Sequence, residues 1–254
     1  VGGDSAGAIG TQIWSSVLLN ELQPQEAVVL SDSYVGLFPQ GFQERIFSKL
    51  GVCSLPVLSP LMQKKCADGS LLVRDVWDEA MKEFPNVRFA SINSKHDAGQ
   101  ITFYNIASAT NQALKVAEYC GEEATACDTS KVPAEVLQPE PPLEPMVYHR
   151  QAVSVIEQWA SNPNYVSYLA SSGMHSISQF ASSTCKDWDY SKVGLSGFVG
   201  GVKGTQRMSE LAFMRSFVES RNATKSVCET LAPEDPDDYC TPIQAKKRLM
   251  SAFN

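Results

Sequence analysis

The sequence predicts a fold of the α/β class, in which helices flank a parallel sheet. Patterns typical of strands and of helices alternate along the 254 residues, and this alternation indicates successive strand–helix–strand units. The apolar run at residues 27–30 is continuous, as in parallel strands that are covered on both faces. No internal repeat is evident, so we expect a single domain over residues 1–254.

The first third of the chain contains one strand and three helices. A helix is predicted over residues 8–22, where apolar residues recur at helical spacing, and Pro24 ends it. The apolar face of this helix consists of Ile9, Ile13, Val17 and Leu18. The strand at 27–30 follows, and then helices over 42–50, with Gly51 as the stop, and over 71–84.

The rest of the chain continues the alternation. Strands are predicted at residues 87–92 and 165–170, and helices over 101–119, 146–159 and 205–220. Residues 120–145 are rich in proline, glutamate and threonine and have no periodicity, so we expect a surface loop excursion there. The glycine-rich stretch 197–204 lacks G-x-G-x-x-G spacing and predicts a loop, not a dinucleotide site.

Composition argues against two classes of protein. The formal net charge of −7 is opposite in sign to that of a general nucleic-acid binder. No window approaches the roughly 18 uninterrupted apolar residues that a membrane span requires. Three scattered histidines without H-E-x-x-H spacing do not predict a metal centre, and no cofactor is expected.

The seven cysteines favour an oxidising compartment. None forms a C-x-x-C pair, which argues against a zinc ribbon. Three close couples predict loop-closing disulfides, namely Cys53 with Cys66, Cys120 with Cys127, and Cys228 with Cys240. Cys185 has no such neighbour, and we expect it to pair with a cysteine in a segment outside this sequence. With the glycosylation sequon at Asn222, these cysteines predict a secreted protein.

The segment Gly3-Asp4-Ser5-Ala6-Gly7 matches the G-x-S-x-G nucleophile elbow. In that motif a strained strand-to-helix turn exposes the serine hydroxyl, and the residues two before and two after it must be small. A helix follows at once, as the motif requires, and the N–H of Ala6 would be one oxyanion-hole donor. The alternative is a glycine-rich helix start without a catalytic role, such as a phosphate cradle.

A serine nucleophile needs a histidine as its base and an acid to orient that histidine. His175 follows the strand at 165–170 on a loop, which is where this fold places its catalytic histidine. His149 lies within a predicted helix, where a surface or capping role is expected. In proteins with this elbow the serine comes first in the chain, then the acid and then the histidine. His96 precedes the neighbouring candidate acid, Asp97, and so does not fit this order.

Two aspartates are candidates for the acid. Asp97 follows the strand at 87–92 and Asp32 follows the strand at 27–30, so both lie at carboxyl ends of strands, where α/β sheets bind ligands. By position alone they are equivalent. Either could instead be a helix cap or turn residue.

Taken together, these segments resemble the pectin acetylesterase/Notum family of α/β-hydrolase carboxylesterases. The likeness is carried by the Ser-Ala-Gly elbow, by Ser31-Asp32-Ser33, and by residues 93–100, whose shape is Ser-x-x-Asp-x-x-Gln. It implies Ser5 as nucleophile, Asp97 as acid and His175 as base, with Asp32 a structural or pocket residue. The likeness runs from Val1 to about Gln179 at the level of motifs, and Ser176 stands where relatives often have cysteine.

The resemblance also implies strands and a glycine-rich oxyanion segment before the elbow, which this chain lacks. We therefore expect an N-terminal fragment or partner chain to complete the sheet, whose edge would otherwise be exposed. With that half supplied, the expected activity is hydrolysis of an acylated polysaccharide or another O-acyl substrate. The alternative is a non-catalytic structural or binding component that retains a hydrolase fold.

Overall fold

A five-stranded parallel sheet forms the centre of the protein. The computed structural model describes residues 1–121, 127–138, 140–176, 210–219 and 226–228. The strands are β1 (Gly2–Asp4), β2 (Val28–Asp32), β3 (Arg88–Ser94), β4 (Tyr165–Ala170) and β5 (Val227–Cys228). They lie side by side in chain order, and every neighbouring pair is parallel, which confirms the predicted α/β class.

Helices make the crossovers between the strands. They are α1 (Ala6–Leu22), α2 (Phe42–Lys49), α3 (Pro60–Ala67), α4 (Val73–Glu83), α5 (Ala98–Cys120), α6 (Ala134–Leu137), α7 (Pro145–Trp159) and α8 (Glu210–Glu219). Short 3₁₀ turns lie at Val52–Ser54 and Thr129–Lys131. In the part of the chain that the structure describes, no helix is both long and apolar enough to cross a bilayer.

Alternating side chains of the strands enter two apolar clusters. Phe89, Tyr165 and Leu169 pack in the larger one with residues of α1, α4 and α7. Its centre is aromatic, because the Trp77 and Trp159 rings meet edge to face with centroids 4.8 Å apart. The intervening strand residues, such as Ala90 and Tyr168, pack against Phe213 and Phe217 of α8. The sheet is therefore covered on both faces, as continuous apolar strands require.

Several predicted bounds agree with the structure to within a few residues, and four elements were missed, namely α3, α6, β1 and β5. Helix α3 has Ser59 as N-cap, whose Oγ accepts from Met62 N, and proline at its first position, a start signal that the sequence did contain. Strands β1 and β5, of 3 and 2 residues, are too short for any periodicity to show. The predictions at residues 197–204, Cys185, Asn222 and Cys240 lie outside the described residues.

Disulfides close two of the predicted loops. Cys53 is bonded to Cys66 and Cys120 to Cys127, as their spacing indicated. Cys228 is also disulfide-bonded. The loop excursion at 120–145 is held down in part by Val132 and Leu143, which are buried.

The register of the sheet brings the ends of its strands together. Asp4 pairs with Asp32, Asp32 with Ile92, and Ile92 with Tyr168. Because all strands run the same way, the turns that follow β1, β2, β3 and β4 leave at one edge of the sheet. In open α/β sheets this edge is where ligands bind.

Candidate active site

Ser5 occupies a strained turn between β1 and α1. Its backbone angles, φ 53° and ψ −119°, lie in a region that costs about 1–3 kcal/mol for a residue with a side chain. The turn is held from both sides, because Ser5 N donates to Asp32 O at 3.0 Å and Ser5 O accepts from Ala8 N at 3.0 Å. This is the geometry expected of a nucleophile elbow.

The elbow depends on one of its two glycines. A Cβ at Gly3 would lie 2.4 Å from Gly7 O, so no larger residue fits there. A Cβ at Gly7 would meet no described atom within 4 Å. The expectation that both flanking positions must be small is therefore wrong at Gly7, whose outer side is exposed.

Three side chains at this edge form a continuous hydrogen-bonded chain. His175 Nε2 lies 2.7 Å from Ser5 Oγ. The other ring nitrogen of His175, Nδ1, lies 2.9 Å from Oδ1 and 3.1 Å from Oδ2 of Asp97. With the Nδ1–H tautomer, which the carboxylate favours, Nε2 is free to accept the serine proton.

Asp97 is a buried carboxylate at the N-terminus of α5. It is 0% exposed and is the N-cap of the helix, where its Oδ1 accepts from Gln100 N at 2.8 Å. Its Oδ2 accepts from Gln100 Nε2 at 2.9 Å. The Asp97 side chain therefore caps α5 and contacts His175 at the same time.

The loop that carries His175 is fastened to its neighbours by main-chain hydrogen bonds. His96 N donates to Ser172 O at 2.9 Å and Ala98 N donates to Gly173 O at 3.0 Å. Beyond the histidine, Ser176 N donates to Ser33 Oγ at 2.7 Å. The imidazole is thereby held between turns that follow two strands, β2 and β3.

The surroundings of His175 stabilise its protonated form. The hydrogen bond to Asp97 is the largest cause that raises the pKa of His175 above 6.5, and burial opposes it. The charge of Asp97 and the more distant charges of Asp32 and Asp4 raise this pKa further. The site therefore favours the imidazolium that forms when a serine hydroxyl is deprotonated.

The other sequence candidates are not members of the hydrogen-bonded chain from Ser5 through His175 to Asp97. Asp32 is 1% exposed at the end of β2, and its Oδ1 accepts from Ser33 Oγ at 2.8 Å. The His149 ring lies 5.6 Å from that of His96, centroid to centroid. Because His149 is 0% exposed within α7, the predicted surface role for it is wrong.

Ala6 is the first residue of α1, directly after Ser5. The first N–H groups of a helix have no partner within it, so Ala6 N–H is available to an anion beside Ser5 Oγ.

Two clefts of about 510 and 600 Å³ lie elsewhere, and neither is lined by Ser5, Asp97 or His175. Among the described residues, no group of three or more His, Cys, Asp or Glu could hold a metal ion.

Three further residues support the site, and the sequence analysis included them in its motifs without assigning them a role. Gln100 contacts both oxygens of Asp97, Ser33 links Asp32 to the His175 loop, and Gly99 lies against the imidazole. A Cβ at Gly99 would lie 2.5 Å from Cγ of His175. The Asp-x-x-Gln spacing before an apolar helix was a visible capping signal, whereas nothing in the sequence indicated the approach of Gly99 to a residue 76 positions later.

Comparison with protein-family models, with curated proteins and with solved structures gives no match to this chain.

Proposed function

We propose that this chain carries the catalytic centre of a carboxylic-ester hydrolase. The observation that carries the proposal is the contact series from Ser5 through His175 to Asp97, with distances of 2.7 and 2.9 Å. Further support comes from its position at the carboxyl edge of a parallel sheet and from the strained serine before a helix.

In the first half of the reaction, His175 Nε2 takes the proton of Ser5 as Oγ attacks the ester carbonyl. The carbonyl oxygen becomes an oxyanion, to which Ala6 N–H donates at the positive end of α1. Asp97 holds the ring orientation and stabilises the imidazolium. Collapse of the tetrahedral intermediate breaks the carbon–oxygen bond to the alcohol, which leaves with the proton from His175.

In the second half, the acyl group on Ser5 is removed by water. His175 takes a proton from the water as the water oxygen attacks the acyl carbon, and the same oxyanion forms again. Collapse returns the proton to Ser5 Oγ and releases the acid. The side chains of Ser5, His175 and Asp97 are already in contact, so proton transfer from Ser5 to His175 requires no rearrangement of these three groups.

The substrate class follows from the resemblance to the pectin acetylesterase/Notum family, with which the Ser5, Asp97 and His175 geometry is compatible. It is an acylated polysaccharide or another O-acyl compound. The disulfides Cys53–Cys66 and Cys120–Cys127 favour a secreted protein, because such bonds persist in oxidising compartments. An N-terminal fragment or partner chain beside β1 would complete the sheet and the oxyanion hole.

The test is covalent labelling of Ser5 by a fluorophosphonate probe, with p-nitrophenyl acetate turnover measured in parallel. We expect the native protein to be labelled at Ser5 and to hydrolyse the ester. Ser5→Ala should abolish labelling and lower kcat by about 10⁶-fold, towards the uncatalysed rate.

Ser161→Ala is the matched control, since in the part of the chain that the structure describes Ser161 Oγ donates to Gln158 O alone, at the exposed end of α7. It should be labelled as the native protein is. Equal ester turnover by the native protein and by Ser5→Ala, with no probe bound to Ser5 of the native protein, would contradict the hydrolase proposal. It would favour the non-catalytic alternative.

A further inference from the structure

We propose that Gln100 is a positioning residue, whose carboxamide fixes the orientation of the Asp97 carboxylate and couples it to the turn after β2. The inference rests on the proposed function for its kinetic consequence. Its geometric basis is a set of three hydrogen bonds that one residue makes, through its carboxamide and its main-chain N–H, and that join two turns of the sheet edge.

Gln100 contacts both oxygens of the carboxylate. Its main-chain N–H donates to Asp97 Oδ1 at 2.8 Å and its Nε2 donates to Asp97 Oδ2 at 2.9 Å. These two donors approach from the helix side, and His175 Nδ1 lies 2.9 and 3.1 Å from the same two oxygens. The carboxylate is thus prevented from rotating about its Cβ–Cγ bond and presents both oxygens to the imidazole.

Burial makes these donors necessary. Asp97 is 0% exposed, and an isolated buried carboxylate is too costly to persist in its charged form. Of the hydrogen bonds to the Asp97 side chain described above, only that of His175 belongs to the reacting groups; the other two come from Gln100. Loss of the Nε2 donor would leave Oδ2 with a weaker set of partners and the carboxylate free to turn.

The arrangement differs from an ordinary helix cap. In a capping box the side chain three residues after the N-cap turns back to the main-chain N–H of the N-cap residue. Gln100 instead donates from Nε2 to the side chain of Asp97, and its Oε1 accepts from Val35 N at 2.9 Å. A residue that served the helix alone would not need the contact with Val35, which lies 65 positions earlier.

The turn that holds Oε1 is also tied to the helix of the nucleophile. Gln12 of α1 donates from Nε2 to Tyr34 O at 3.0 Å, and the next residue, Val35, donates to Gln100. All of Gln12, Tyr34 and Val35 are buried. Gln12 and Gln100 therefore form hydrogen bonds with successive residues of one turn. These contacts fix the position of α1, the helix that follows Ser5, relative to Asp97.

The experiment compares Gln100→Met with Gln100→Asn. Methionine is nearly isosteric and removes the carboxamide contacts with Val35, Asp97 and Asn93. Asparagine is too short to span Val35 and Asp97. Gln112→Met is the control, because Gln112 lies on the same helix about 18 Å away, and its one side-chain hydrogen bond among the described residues is to Leu137 O. Circular dichroism checks that each variant is folded. The readouts are ester kinetics and an NMR titration of His175, whose signal is identified by its loss in His175→Gln.

We expect both Gln100 variants to lower kcat by about 10²-fold with KM near the native value, since misorientation affects the transition state more than binding. The His175 titration should move down towards 6.5, because the hydrogen bond that raises it is weakened. Gln112→Met should change neither readout.

A His175 titration in the folded Gln100 variants that equals or exceeds the native value would overturn the proposal. The NMR readout needs no ester turnover, so an inactive native protein in which Gln100→Met still lowers the titration would count against the hydrolase proposal and not against the positioning role. Active variants with native kcat would overturn the kinetic consequence of Gln100.

Discussion

Asp32 and Asp97 illustrate how neighbouring turns give the same residue type different roles. Both are buried aspartates at the carboxyl ends of strands of one parallel sheet, Asp32 as the last residue of β2 and Asp97 shortly after β3. Asp97 contacts His175 Nδ1 directly, whereas the Asp32 carboxylate accepts from Ser33, whose hydroxyl in turn accepts from Ser176 N. The first orients the imidazole, and the second fastens the backbone beside it.

Replacement of each aspartate by asparagine separates these roles. Asp97→Asn favours the wrong tautomer of His175 and should lower kcat by about 10⁴-fold. Asp32→Asn removes a charge that acts on His175 only at a distance, so its loss of kcat should be far smaller. Steady-state ester hydrolysis measures both. A larger loss in Asp32→Asn than in Asp97→Asn would reverse the assignment of the acid.

The raised pKa of His175 predicts the pH dependence of the reaction. Only the neutral imidazole can take the Ser5 proton, so kcat/KM should rise with pH and its acid limb should have a midpoint above 6.5. In Asp97→Asn the main cause of the shift is absent, and the midpoint should fall. A native midpoint at or below 6.5 contradicts this expectation.

The same shift has an opposite consequence for folding. Because the folded protein binds the His175 proton more tightly than the unfolded chain, the protonated histidine stabilises the fold below pH 6.5. This contribution is lost as pH rises through the folded-state pKa. The conditions that favour reaction are therefore those in which this stabilisation is withdrawn.

The convergence of Ser5, Asp97 and His175 could be expected from sequence only in outline. The G-x-S-x-G spacing and the strand–turn positions reduced the candidates to one serine, two aspartates and three histidines. Position alone did not separate Asp32 from Asp97. Their separation depends on a side-chain orientation that is set by packing of the loop after β4 against the start of α5.

The N-terminus of α5 is built around the close approach of His175 to Gly99. Alanine at this position should favour the helix by about 0.5–1 kcal/mol, yet its Cβ would lie 2.5 Å from Cγ of the imidazole. We expect Gly99→Ala to displace the ring and lower kcat by about 10²-fold while the protein stays folded. Ester kinetics and thermal unfolding measure the two effects separately.

Gly10→Ala provides the comparison within α1, since a Cβ at Gly10 would meet no described atom within 4 Å. It should gain the helix stabilisation and keep native kcat. If Gly99→Ala also retains native kcat, the imidazole does not depend on this contact.

The disulfide Cys53–Cys66 should stabilise a part of the fold that is remote from the reaction. Cys66 packs with Leu58, Met62 and Leu71 in a separate apolar cluster beneath α3. Cys53→Ser with Cys66→Ser should cost about 3 kcal/mol and lower Tm by about 6–12 °C. Fluorophosphonate labelling of Ser5 below the new Tm should persist. An unchanged Tm would mean that the bridge adds nothing to stability.

Long helices and the strands of five or more residues could be predicted, and the shortest strands could not. Helices α1, α5 and α7 run for four or more turns, and sequence located each to within a few residues. The predicted apolar face of α1 is nevertheless wrong, because Leu18 is 38% exposed and the buried residues are Ala8, Thr11, Gln12, Ser15 and Leu19. Strand β1 exists because Gly2 and Gly3 pair with Leu30 and Ser31, a contact between distant segments. No local pattern encodes it.

The whole molecule carries a formal net charge of −7, and the three carboxylates that act on His175 have the same sign. Asp97, Asp32 and Asp4 all act on His175 in the direction that favours a proton. An anionic polymer would therefore be repelled both by the protein at long range and by the groups near Ser5. A neutral acylated substrate would meet no such barrier.

This repulsion predicts how ionic strength changes the reaction. Between about 0.01 and 0.15 M salt the Debye length falls from about 30 to about 8 Å, which screens the protein's field. For an acetylated polyuronate, kcat/KM should rise about tenfold over this range, since the rate of encounter is the quantity that repulsion lowers. For an acetylated neutral polysaccharide of similar length, kcat/KM should stay level. A fall in kcat/KM for the polyuronate with added salt would contradict this expectation. It would require a basic binding surface near the site that attracts the polymer despite the negative net charge of the protein.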